Sequence, residues 1–188
     1  TLPVTAFWQA HRRAGEVYGA AVRELVALAA PRVPAGGLRV WDLYGGAGVL
    51  GAALLDGAAT GGPPIAAIEL VESAAEALAA AETTLGGEPV RLHRGQVAVV
   101  TGGLDAPDVV IADPPRSGAG DAVVDAVVAA GPQMVVHVGC DAAAFARDLR
   151  RYVQGGYRVL SWRAFDAFPL THHLEAMAVL VPADRSVD

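Results

Sequence analysis

Short apolar runs alternate with stretches of helical periodicity along most of the chain, and no other feature restricts its fold as much. Residues 38–43, 65–69, 89–93, 108–113 and 133–138 read as five strands. Residues 48–58, 72–85, 120–130 and 141–153 read as helices between or after them. A leading helix over 7–30 is ended by Pro31 and Pro34, and residues 94–103 show no decisive period. Strands that alternate with helices build a parallel sheet, because parallel neighbours need a crossover. These strands are apolar on both sides, as strands covered on both faces are. The rhythm breaks at the end: residues 156–164 and 174–181 are strands with no helix between them. A loop of about 9 residues suits an antiparallel pair. The expectation is one α/β domain over 1–188, with a helical segment over 1–35 and a Rossmann-like core over 36–182.

Hydrophobic residues make up 53% and charged residues 18%, enough for a large core and too little charge for disorder. No apolar run is long enough to span a bilayer. Thr1-Leu2-Pro3-Val4 lacks the basic and apolar regions of a signal peptide, so the sequence reads as a cytoplasmic protein with no membrane partner. The net charge of −6 opposes a self-sufficient nucleic-acid binder, which needs a basic face. The single cysteine, Cys140, excludes an internal disulfide and leaves two roles, apolar filler or reagent.

The turn from Asp42 to Gly51 joins a strand to a helix, and Gly46-x-Gly48-x-x-Gly51 matches a dinucleotide fingerprint. Glu69, read as the end of the next strand, is placed for a ribose hydroxyl. An NAD site is therefore one reading. Asp42 argues against it, since a carboxylate there repels a pyrophosphate and attracts a cationic amino acid. The turn also holds no basic residue for phosphate. S-adenosylmethionine has a ribose, an adenine and a charged methionine, and no phosphate. The plainer alternative is that Asp42 and Glu69 only cap helices.

Asp113-Pro114-Pro115-Arg116-Ser117-Gly118 follows the fourth strand, and its prolines stiffen the backbone that carries Asp113 and Arg116. Cys140 follows the fifth strand and opens a helix, where the helix N-terminus favours the thiolate and neighbouring Asp141 opposes it. If the sixth strand is parallel to the first five, Glu175 begins the returning strand on the same edge as Cys140. A carboxylate beside a nucleophile can act as general base. His172-His173 has no third ligand at a recognisable spacing, so no metal is expected.

Together these loops resemble the RNA (uracil-5-)-methyltransferase family, over nearly the whole chain. The most specific segments are Asp113–Gly118, Gly139-Cys140-Asp141 with Ala146-Arg147-Asp148-Leu149, and Phe168-Pro169-x-Thr171-x-His173-Leu174-Glu175-x-Met177. The resemblance implies a class I methyltransferase fold: a seven-stranded, mostly parallel sheet with an antiparallel C-terminal strand. It implies S-adenosylmethionine as cofactor, held by Gln9, Tyr44, Glu69 and Asp113 beside Asp42, Gly46 and Gly48, with Gln96 near the cofactor at an uncertain register. Arg116, Phe168, Thr171 and His173 are expected to face the substrate, and Phe7, Trp8 and Phe165 are further candidates for stacking.

By the same resemblance Cys140 is the nucleophile and Glu175 the base. Carbon 5 of uracil is a weak nucleophile until a thiolate adds at carbon 6. The implied partner is RNA, 23S rRNA ahead of tRNA, bound through domains that the family carries upstream. The chain would then be a fragment of a longer protein. Gly139, Asp141, Val49 and Leu170 depart from the family pattern, which leaves substrate choice open. A methyltransferase for another substrate and an inactive cofactor-binding remnant are the competing readings.

Overall fold

The computed structural model describes residues 14–29, 31–166 and 175–184. Gln9, Phe168, Thr171 and His173 of the expected site lie outside these residues, as do Phe7 and Trp8.

Seven strands form one sheet in the order β3-β2-β1-β4-β5-β7-β6. In chain order they are β1 (Leu38–Leu43), β2 (Ile65–Glu72), β3 (Val90–Arg94), β4 (Val109–Ala112), β5 (Met134–Gly139), β6 (Tyr157–Phe165) and β7 (Glu175–Pro182). The first five are mutually parallel, and β7 pairs antiparallel with both β5 and β6. That is the expected class I methyltransferase sheet. Strand order reverses between β1 and β4, where open α/β sheets leave a crevice at the strands' carboxyl ends.

Helices α1 (Ala14–Ala29), α2 (Val49–Ala59) and α3 (Ala75–Leu85) cover one face. On the other lie α4 (Val97–Val100), α5 (Asp121–Ala130) and α6 (Ala142–Gln154). The ambiguous segment 94–103 resolves into α4 and a 3-10 turn over Thr101–Gly103. Alternation along each strand sorts the core. Val40, Ile111, Val138 and Met177 pack under α1, whereas Trp41, Ala112, Val135 and Ala178 face α5 and α6. Each buried Val, Ile or Met among these contributes about 1.5–3 kcal/mol, so the two apolar layers fix which strand residues face which helices.

Two expected boundaries move. β2 continues to Glu72 because Leu70 and Val71 are fully buried and pair with Asp42 and Leu43. α3 accordingly starts at Ala75 rather than at 72. Among the described residues no helix is long and apolar enough to cross a membrane.

Candidate active site

The alternation that builds the core also selects the site. Asp42, Asp113, Cys140 and Glu175 each stand two positions from a residue in the layer under α1: Val40, Ile111, Val138 and Met177. All four therefore gather on the face covered by α1 and α2, Asp42 on β1, Glu175 on β7, and Asp113 and Cys140 just past the ends of β4 and β5, at the carboxyl edge of the parallel strands. Asp113 continues the ladder past β4, its amide donating to the Leu43 carbonyl at 3.2 Å.

Burial and mutual repulsion set the charge state of this row. Asp42 is fully buried, and desolvation pushes its pKa up to about 7, with Asp113 and Glu72 adding to the rise and the Gly51 amide opposing it. Desolvation raises Asp113 to about 6. Glu175 rises to about 7, through burial and then through Asp113. The Cys140 thiol is also pushed up, by burial first and by Glu175 and Asp113 as well, while Arg116 pulls it down. These interactions put the lone thiol, the distant carboxylate and Arg116 within one electrostatic neighbourhood. Asp141 is turned to α6 as its N-cap, accepting the Ala144 amide at 2.8 Å.

The glycine turn carries the geometry the fingerprint requires. Gly51 brings α2 against β1: its amide donates to Asp42 Oδ2 at 3.1 Å, and a Cβ there would stand 2.8 Å from that oxygen. Gly46 and Gly48 adopt φ of 56° and 81°. Tyr44, at φ 60°, is the one non-glycine residue with positive φ among the described residues, a strained conformation of the kind that clusters at ligand sites. Its hydroxyl donates to the Ala119 carbonyl at 3.4 Å.

The strand-end position read for Glu69 is corrected. The residue is not at the end of β2 but inside it, paired with Trp41 and Arg91 and facing away from α1. Its carboxylate is taken by Arg91 Nη1 at 2.7 Å and His93 Nε2 at 2.6 Å. The acid at the strand end is Glu72. Its Oε2 accepts the Gly46 amide at 3.1 Å, and its Oε1 accepts the amides of Ser73 and Ala74 at 2.6 and 2.8 Å. Sequence reading missed it because Glu69 interrupts the apolar run three residues early. Gln96 follows β3, exposed at the start of α4.

The Ala146-Arg147-Asp148-Leu149 segment locks the proline-rich loop. Arg147 Nη2 donates to the Ser117 carbonyl at 2.5 Å and the Ala119 amide donates to Asp148 Oδ2 at 2.6 Å. Gly118, at φ 84°, passes so close that a Cβ would meet both side chains at 2.6 Å. Burial alone would raise Asp148, but His137 and the Ala119 amide hold it below the usual carboxylate range. Gly139 is small for a related reason, since a Cβ would stand 2.9 Å from the Phe145 ring. Among the described residues no group of three His, Cys, Asp or Glu is arranged for a metal ion.

Known proteins share both the sequence and the frame. Residues 65–182 match the family model described as tRNA (uracil-5-)-methyltransferase. A protein of Corynebacterium efficiens, described as an uncharacterized RNA methyltransferase, is 44% identical over 95% of this chain and 41% of its own length. A Corynebacterium glutamicum protein of the same description is 39% identical over 95% of this chain and 42% of its own length. The chain thus spans about two fifths of the curated relatives it matches. Among solved structures, the Pyrococcus abyssi tRNA (uracil-54, C5)-methyltransferase bound to S-adenosyl-L-homocysteine superposes with a TM-score of 0.74 at 26% identity, over 94% of this chain and 40% of that one. The Aeropyrum pernix fibrillarin bound to S-adenosyl-L-methionine shares the fold, with a TM-score of 0.64 at 14% identity over 88% of this chain and 74% of that one.

Proposed function

Because the chain belongs to the tRNA (uracil-5-)-methyltransferase family, we propose that it is the S-adenosylmethionine-dependent catalytic part of an RNA methyltransferase acting on carbon 5 of a uridine. The observation that carries this reading is the meeting of Cys140 and Glu175 on one sheet face, with Asp113 acting on both.

The residues present fit the cofactor. Asp42 Oδ1 is buried without a partner among the described residues, an unused acceptor beside the glycine turn of the kind that suits an ammonium group. Glu72 fastens to the glycine turn, where a strand-end acid reaches a ribose hydroxyl. The strained Tyr44 and the exposed Gln96 flank the same edge. When bound, S-adenosylmethionine supplies an electrophilic methyl group.

Cys140 adds as thiolate to carbon 6 of the base, forming the carbon–sulfur bond and making carbon 5 enolate-like. Arg116 favours the thiolate against burial and the two carboxylates. After methyl transfer Glu175 removes the carbon 5 proton, and elimination breaks the bond to Cys140. A base with a pKa near 7 suits this proton transfer at neutral pH. The target base must be extruded from its stack to reach Cys140, which is half-buried at the sheet edge.

The net charge of −6 supports a reading in which phosphate contacts come largely from other parts of a longer protein. The family name and the Pyrococcus neighbour speak for tRNA, and the sequence resemblance put 23S rRNA first, so both belong in the assay. RNA containing 5-fluorouridine tests the mechanism, because fluorine cannot leave as a proton. The full-length protein should form a covalent complex with it that Cys140→Ala abolishes while S-adenosylhomocysteine still binds. With ordinary RNA, Glu175→Gln should accumulate the same adduct. A fluorouridine complex that survives loss of Cys140 would refute the reading.

A further inference from the structure

Tyr18 stands on α1, over the row of site residues, and the mechanism so far gives it no task. It is 4% exposed, and its hydroxyl is buried without a hydrogen-bond partner among the described residues. A hydroxyl left so costs about 1–3 kcal/mol, and an apolar residue would fill the same space without that cost. Its ring meets Phe165 edge-on, centroids 5.4 Å apart at 61°, and Phe165 is the cross-strand partner of Glu175. Glu175, Asp113 and Cys140 all act on the phenol, which burial and these groups together hold far above its usual range. Tyr18 is therefore a neutral donor at any physiological pH, surrounded by acceptors none of which receives its proton.

We propose that Tyr18 is a catalytic residue whose hydroxyl donates a hydrogen bond to the carbonyl oxygen conjugated with carbon 5 of the bound pyrimidine; the proposal rests on the uracil-5 reading above. When the thiolate adds at carbon 6, the new carbon–sulfur bond takes the place of the carbon 5–carbon 6 π bond. That electron pair spreads over carbon 5 and the carbonyl oxygen. The row beneath offers this oxyanion Asp42, Asp113 and Glu175, groups that repel it once ionised. A neutral donor stabilises it without adding a charge, and such donors typically contribute about 100- to 1000-fold in rate.

The position in the sheet favours the base over the cofactor as the recipient. Asp42 stands on β1 and the glycine turn follows that strand, four places along the sheet from the β6 end where Tyr18 meets Phe165. Cys140 and Glu175, on β5 and β7, lie between those two ends.

Tyr18→Phe in the full-length protein removes one oxygen and keeps the ring contact. Adduct formation with 5-fluorouridine RNA, measured in a single turnover, should slow on the order of 100-fold. S-adenosylhomocysteine affinity, measured by calorimetry, should change less than about twofold and at the same time shows that the variant folds. Placing 3-fluorotyrosine at position 18, a stronger donor of nearly the same shape, should restore a rate at least equal to the wild type. A wild-type rate in Tyr18→Phe would overturn the assignment, and so would a loss of cofactor affinity equal to the loss of rate. Absence of any adduct in the wild-type protein would instead sink the uracil-5 reading, and this proposal with it.

Discussion

Asp42→Asn should make the protein more stable and less able to bind its cofactor, and the gain should depend on pH. Asp42 is fully buried; one carboxylate oxygen takes the Gly51 amide and the other has no partner. Burial raises its pKa from 3.8 to about 7. At about 1.4 kcal/mol per pKa unit, keeping it ionised in the folded state costs about 4 kcal/mol. The sign follows from linkage. Between pH 4 and 7 the folded protein holds a proton that the unfolded chain has released, so stability falls as pH rises through this window and is flat above it. Asparagine keeps the acceptor for Gly51 and cannot ionise. Its advantage over the wild type should be small at pH 4 and grow by about 2–4 kcal/mol by pH 8, the lower figure allowing for rearrangement around a carboxylate that Asp113 also influences. Urea unfolding at several pH values, followed by tryptophan fluorescence, measures this difference. The same variant should bind S-adenosylhomocysteine at least about 10-fold more weakly, an interaction worth about 1.4 kcal/mol. A stability difference that does not change with pH would refute the reasoning, because Asp42 would then be ionised without penalty or protonated throughout.

Two further outcomes follow from the corrected strand end and the raised acids. Glu72→Gln should weaken S-adenosylhomocysteine binding about 10-fold or more while Glu69→Gln leaves it nearly unchanged; calorimetry showing the reverse order would return the ribose role to Glu69. The rate of product release from the adduct should rise with pH through about 7, as Glu175 loses its proton, and the rate of adduct formation should rise as the elevated Cys140 thiol ionises; single-turnover profiles falling with pH would contradict both assignments.

The strand–helix alternation, the antiparallel ending and the edge position of Cys140 were legible because each rests on local pattern. Strands such as 133–138 are apolar throughout, and a helix between two strands forces them parallel. Glu69 shows where this fails. A charged residue in an apolar run reads as an end, and only the flanking β3 reveals that Arg91 and His93 supply its partners. Asp148 was visible as a motif, but its grip on the loop at Ala119 joins residues 29 positions apart. Tyr18 gave no signal at all, being one aromatic residue on an apolar helix face.

The sequence by itself determined the element types, the turn glycines and the side of the sheet on which strand-end residues gather, since periodicity and turn chemistry act over a few neighbours. Only the tertiary structure decided which carboxylates are buried together, which acid meets the glycine turn, and that a hydroxyl on α1 closes over Cys140 and Glu175. Those outcomes depend on desolvation and Coulomb interaction between groups brought close by packing, and neither quantity is defined until the sheet order and the helix above it are known.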